Sequence, residues 1–115
     1  MANITVHMLN PLHLADFYFT QEPEAKALSY MVEGKYVALG PIDLPFEGEE
    51  AAEEMFDISN HPRRRYQRDE IFGRCRSLSV GDIVEVDGDL FLCRPCEWLK
   101  LNVETAAAPA NWMEI

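Results

Sequence analysis

Two apolar runs, Ile83-Val84-Glu85-Val86 and Leu90-Phe91-Leu92, flank Asp87-Gly88, and no other feature narrows the fold as far. Asp-Gly between β-formers is the signal for a two-residue hairpin turn, with positive φ at both central positions and strands returning antiparallel. A hairpin alone is marginal in water and needs further strands or a helix to bury its faces. The rest of the chain must supply them.

It does so in recognisable pieces. Ile4, Val6 and Met8 alternate with Thr5 and His7, the period-two pattern of a strand over Ile4 to Leu9. "KYVALGPIDLP" reads as a strand over Tyr36 to Leu44, with Gly40-Pro41 as a kink or turn. Strands are also expected at Ile83 to Val86 and Leu90 to Cys93. The clearest helix is Glu49 to Ser59: Ala51, Ala52, Met55 and Phe56 share one face at helical spacing. Glutamates crowd its first turns, where the helix macrodipole favours negative charge. "PEAKALSYMVEG" is expected as a short helix, with Pro23 in its first turn and Gly34 just past its end. Phe17 to Phe19 is read as an irregular packed segment or short strand, and the arginine-rich stretch after Asn60 as a loop leading to a turn. The expectation is an α+β fold: a small, mainly antiparallel sheet with a C-terminal hairpin and one or two packed helices. It forms a single domain over 1–104, followed by a tail over 105–115 that carries Trp112 and Met113.

The length of 115 residues suits one domain, and 48 % apolar residues allow a core without disulfides. No apolar run approaches the roughly 18 residues of a membrane span. "MANITVHML" lacks the charged and apolar regions of a signal peptide. A cytoplasmic protein is therefore expected, and three cysteines, an odd number, do not form a secreted disulfide framework.

Charge limits the partners. The net charge is −10, with 20 acids against 10 bases, whereas proteins that bind duplexes draw affinity from neutralising phosphates. The charge is also uneven: "HPRRRYQRDEIFGRCR", His61 to Arg76, concentrates arginine between two acidic regions. Arg63, Arg64, Arg65 and Arg68, with Tyr66 interleaved, form a candidate partner-binding set able to hold carboxylate or phosphate, or to stack on a base. The plainer reading is internal: the arginines fold back on the acidic helix face, Glu47, Glu49, Glu50, Glu53, Glu54 and Asp57.

Cys93-Arg94-Pro95-Cys96 raises the question of redox or metal chemistry. A thioredoxin-like motif opens a long helix inside a βαβ unit, and here the motif ends a hairpin arm. If zinc were bound, the ligands would be Cys75, Cys93, Cys96 and His61, but His61 and Cys75 are not the close second pair such sites use. The expectation is no metal and no cofactor, with Cys93 packing as a small apolar residue. No motif for nucleophilic, phosphate-binding or metalloprotease chemistry occurs, so no catalytic residue is assigned.

"GRCRSLSVGDIVEVDGDLFLCRPCEWLKL", Gly73 to Leu101, resembles the YodL-like domain: an arginine, S-L-S-V-G-D-I-V, a short turn, and an arm carrying a cysteine and an aromatic residue. Glu97-Trp98 stands where that family usually has Gly-Phe. The resemblance implies a small, non-enzymatic accessory protein of a plasmid, phage or integrative element, acting through a protein partner. Two other readings follow from charge. One is an acidic nucleic-acid mimic that inhibits a host defence system. The other is a nucleic-acid binder using the arginine segment, which the net charge disfavours.

Overall fold

The computed structural model describes residues 2–102; the tail expected over 105–115 lies outside the described residues. The chain forms a five-stranded antiparallel sheet with helices on both faces, an α+β fold. In chain order the elements are β1 (Ala2–Leu9), α1 (Asp16–Phe19), α2 (Pro23–Val32), β2 (Tyr36–Leu44), α3 (Gly48–Asn60), α4 (Arg65–Phe72), β3 (Ile83–Val86), β4 (Asp89–Cys93) and β5 (Trp98–Lys100). Short 3-10 turns at Pro11–His13 and Pro62–Arg64 precede α1 and α4. The spatial order is β2-β1-β3-β4-β5, so β1 lies inside the sheet between β2 and β3.

The hairpin forms as its turn chemistry requires. Asp87 and Gly88 sit at φ 49° and 93°, and Ile83 faces Leu92 across the ladder. The sheet extends one strand further than the sequence suggested: Trp98–Lys100 pairs with β4. In β2 the ladder slips, so that Gly40 and Pro41 together oppose Thr5, an edge-strand bulge. Glycine is required there, because a Cβ on Gly40 would lie 2.8 Å from the carbonyl oxygen of Ile4.

Strand alternation sends side chains to two cores. Ile4, Val6, Val84, Val86 and Phe91 meet Ala51, Ala52, Met55 and Ile58 of α3 and Phe72 of α4. Leu9, Ile83, Leu92 and Leu101 meet Phe17 of α1 and Ala27 of α2. Burial of Met55 and Ile58, both fully enclosed, contributes about 1.5–3 kcal/mol each. Phe56, expected on the packed face, is half-buried and meets the Trp98 ring edge-on at 6.2 Å.

Two expectations are corrected. Phe17 to Phe19 is neither strand nor irregular but lies in the single helical turn of α1, which buries Phe17 and leaves Phe19 outside. The arginine-rich stretch is not a loop; from Arg65 it is helix α4, closed by Gly73 at φ 55° with its N–H on the Asp69 carbonyl. No helix among the described residues is long and apolar enough to cross a membrane.

Candidate functional site

The six arginines of His61 to Arg76 divide into two groups. Arg64, Arg68 and Arg76 are bonded inside the protein. Arg63, Arg65 and Arg74 are exposed, and their guanidinium groups make no hydrogen bond or ion pair among the described residues.

Arg64 is the internal contact that charge alone foretold. It donates to Glu54 at 2.6 Å, to Asp57 at 2.8 Å and to Gln67 at 2.8 Å. The two α3 carboxylates, Glu54 first, hold its proton well above the usual guanidinium range. Arg68 serves α4's C-terminal end, donating to the carbonyls of Gly73 and Cys75 and to the Ser77 hydroxyl.

Arg76 belongs to a buried lock that the sequence reading did not identify. Its two terminal nitrogens grip both oxygens of Asp82, at 2.5 and 2.6 Å, and one also donates to the Leu9 carbonyl at 2.6 Å. Asp82 is completely buried. Its oxygens also accept the N–H groups of Leu9 and Ser79, each at 2.8 Å. The Asp82 main chain pairs with Cys93 and Ser79. A buried carboxylate is tolerable only when paired and fully hydrogen-bonded, and every acceptor direction here is used. The lock fastens the end of β1 to the start of β3 and the end of β4. Tyr36 adds the edge strand by donating to the Gly81 carbonyl at 2.7 Å. Ser77 and Ser79 carry the hydroxyls that could make local turn bonds before β3. Instead Asp82 receives the Ser79 N–H, and the Ser77 hydroxyl donates across to the Ser59 carbonyl.

The cysteine pair does not gather the other two candidate ligands around it. Among the described residues no group of three His, Cys, Asp or Glu side chains could hold an ion, so Cys75, Cys93, Cys96 and His61 are not brought together. His61 instead caps the next turn, its Nδ1 accepting the Arg63 N–H at 3.1 Å. Cys93 is buried, and burial, with the Asp82 charge, pushes its thiol up to about 12. At neutral pH it is a thiol, not the thiolate that nucleophilic and redox chemistry require. Cys96 is exposed on the turn beyond. The turn and α3 enclose a cleft of about 210 Å³, lined by Glu53, Phe56, Arg94, Cys96 and Trp98 among others.

The acidic face is only partly open. Glu54 and Asp57 hold Arg64, and Glu53 accepts the Trp98 indole N–H at 2.7 Å. Glu47, Glu49 and Glu50 are exposed at the start of α3. The six carboxylates therefore do not form one uninterrupted anionic strip.

What stands open is the corner where α4 begins. Pro62 fixes the turn, His61 caps it and Arg64 anchors it to α3. On this corner Arg63 and Arg65 are exposed, and Tyr66 is 88 % exposed. The local arrangement is unfavourable by itself: α4 has no acid in its first turn and no side-chain cap, so its positive dipole end adjoins cations. Leu12 and Phe19, 84 % and 89 % exposed, stand out on a different part of the chain, before and within α1. No protein-family model, curated protein or solved structure matches the chain.

Proposed function

We propose that the chain is a non-catalytic protein-interaction module that presents the Arg63–Arg65–Tyr66 corner to a protein partner. The single observation that carries this reading is the wide exposure of Tyr66 close in the chain to two arginines whose guanidiniums have no partner among the described residues. Tyrosine and arginine are the side chains most enriched among residues that dominate binding energy at interfaces. The backbone of the corner is held by Arg64 and His61, so binding need not order the chain there. The engagement of Asp82 and Arg76 in structure, and the protonated Cys93 thiol, support a non-enzymatic role. The setting, an accessory protein of a mobile genetic element, rests on the resemblance of Gly73 to Leu101 alone. Nucleic-acid mimicry is less favoured, because half of the acidic face is occupied by Arg64 and Trp98.

The test is capture from a host lysate with the wild type and with the R63A/R65A/Y66A variant. Proteins retained by the wild type and lost by the variant, at unchanged melting temperature, are expected. Identical capture by both would refute the reading.

A further inference from the structure

We infer that the corner receives a short protein segment with two carboxylates at one end, an apolar side chain in the middle and a basic residue at the other end. The inference rests on reading this surface as an interaction site and specifies the chemistry of its occupant. Arg64 is tied down to α3, and the residues on either side of it are left exposed. They form two cationic positions separated by one anchored residue. A guanidinium recognises a carboxylate through a two-pronged geometry, so each position takes one acid. Tyr66 beside them offers an exposed ring whose burial supplies the apolar share of the binding energy.

Other charges on α4 limit how far this basic field extends. Asp69 and Glu70 are exposed one turn after Arg65 and Tyr66, and Asp69 lies 3.5 Å from Arg68. The surface therefore runs from positive through aromatic to negative within about two helical turns, on the order of 10 Å. A nucleic-acid backbone continues its negative charge in both directions. It would meet these two acids and then a protein of net charge −10. Appreciable affinity for a duplex comes from many phosphate contacts made together, and this corner offers two free arginines. A short segment that is acidic at one end, apolar in the middle and basic at the other matches the pattern with no charge left opposed.

The experiment is selection of short random peptides displayed on phage against the full chain, run in parallel with R63E/R65E and with Y66A. R63Q/R65Q is carried as a milder pair, and melting curves check that every variant is folded. The wild type is expected to enrich peptides with two Asp or Glu residues on one side of a Leu, Phe or Trp and a Lys or Arg on the other. Each variant should bind a selected peptide roughly ten-fold more weakly by fluorescence anisotropy. Enrichment that depends on Tyr66 without acidic bias would overturn the inference and leave the interaction surface standing. No enrichment that depends on Arg63, Arg65 or Tyr66 would overturn both. Displacement of the selected peptide by an equal concentration of duplex DNA at physiological salt would overturn the inference in favour of nucleic acid.

Discussion

Arginine meets carboxylate in two quite different ways in this molecule. At the end of the sheet, Arg76 grips an Asp82 that no solvent reaches, together with two backbone N–H groups and a carbonyl. On the surface, Arg64 spans Glu54 and Asp57 with water at hand for all three side chains. The bond lengths are similar, but the surroundings are not. Loss of Arg76 at the first site strands the Asp82 charge where water cannot replace it, while loss at the second is repaired by solvent. The first pair is therefore architecture. The second fixes the outline of a surface, and the unused arginines beside it are the ones free to meet something else.

The largest expected effect tests the buried half of that comparison. Asp82→Ala or Arg76→Ala should each lower unfolding free energy by about 3–5 kcal/mol. The double variant should cost much less than the sum, because both single changes remove the same contact. Urea denaturation gives all three values, and additive losses would show that the two residues act separately.

Alkaline pH tests the same region next. Burial holds the Cys93 thiol at about 12 against an ordinary 9, and burial with the Asp82 charge raises the Tyr36 phenol too. Above pH 9 the unfolded chain releases the thiol proton while the folded chain retains it. Fewer protons on the unfolded state mean that stability falls as pH rises. The slope for one such group approaches 1.4 kcal/mol per pH unit between about 9 and 12. Cys93→Ala should flatten that decline relative to its own value at pH 7, and an unchanged slope would contradict the assignment.

Arg64→Ala should cost about 1 kcal/mol or less, with the loss shrinking as salt is added. A loss as large as that of Asp82→Ala would erase the distinction between the two sites. Smallest of all, the R63A/R65A/Y66A variant should stay within about 0.5 kcal/mol of wild type. A larger destabilisation would mean that the corner serves the fold itself.

The fold was legible where a pattern repeats. The hairpin, the strands of "NITVHML" and "YVALGPIDL", and the apolar face of α3 each carry their period in the residues themselves. Helix α4 was missed for a specific reason. Arg65, Gln67, Arg68 and Glu70 are good helix formers, but only Ile71 and Phe72 reach the core from it, so no apolar stripe announces it. A four-residue α1 and a three-residue β5 are too short for any period. The arginine segment was legible as a feature but not in its division. Which arginines are used depends on how the backbone places Glu54, Asp57, Gly73, Cys75 and Asp82 around them, and on Leu9, which lies 67 residues from Arg76. The role of Asp82 was not legible, because the Leu9 N–H it accepts is 73 residues away and leaves no local signature.

The strand order has a consequence in time. β1 gains its neighbour β3 only when the two ends of a long chain segment meet, whereas the β3–β4 hairpin closes over two residues. Hairpins form in microseconds, while distant pairings must first overcome the entropy of a large loop. The docking of β1 against the finished hairpin is then the expected slow step, with the Arg76–Asp82 clasp on Leu9 closing after it. Stopped-flow measurements on Asp82→Ala should show much faster unfolding and nearly unchanged refolding. Refolding slowed in proportion to the lost stability would mean that the clasp is already closed when the barrier is crossed. On the expected behaviour, the buried ion pair has little part in how the protein finds its fold and governs how long it keeps it.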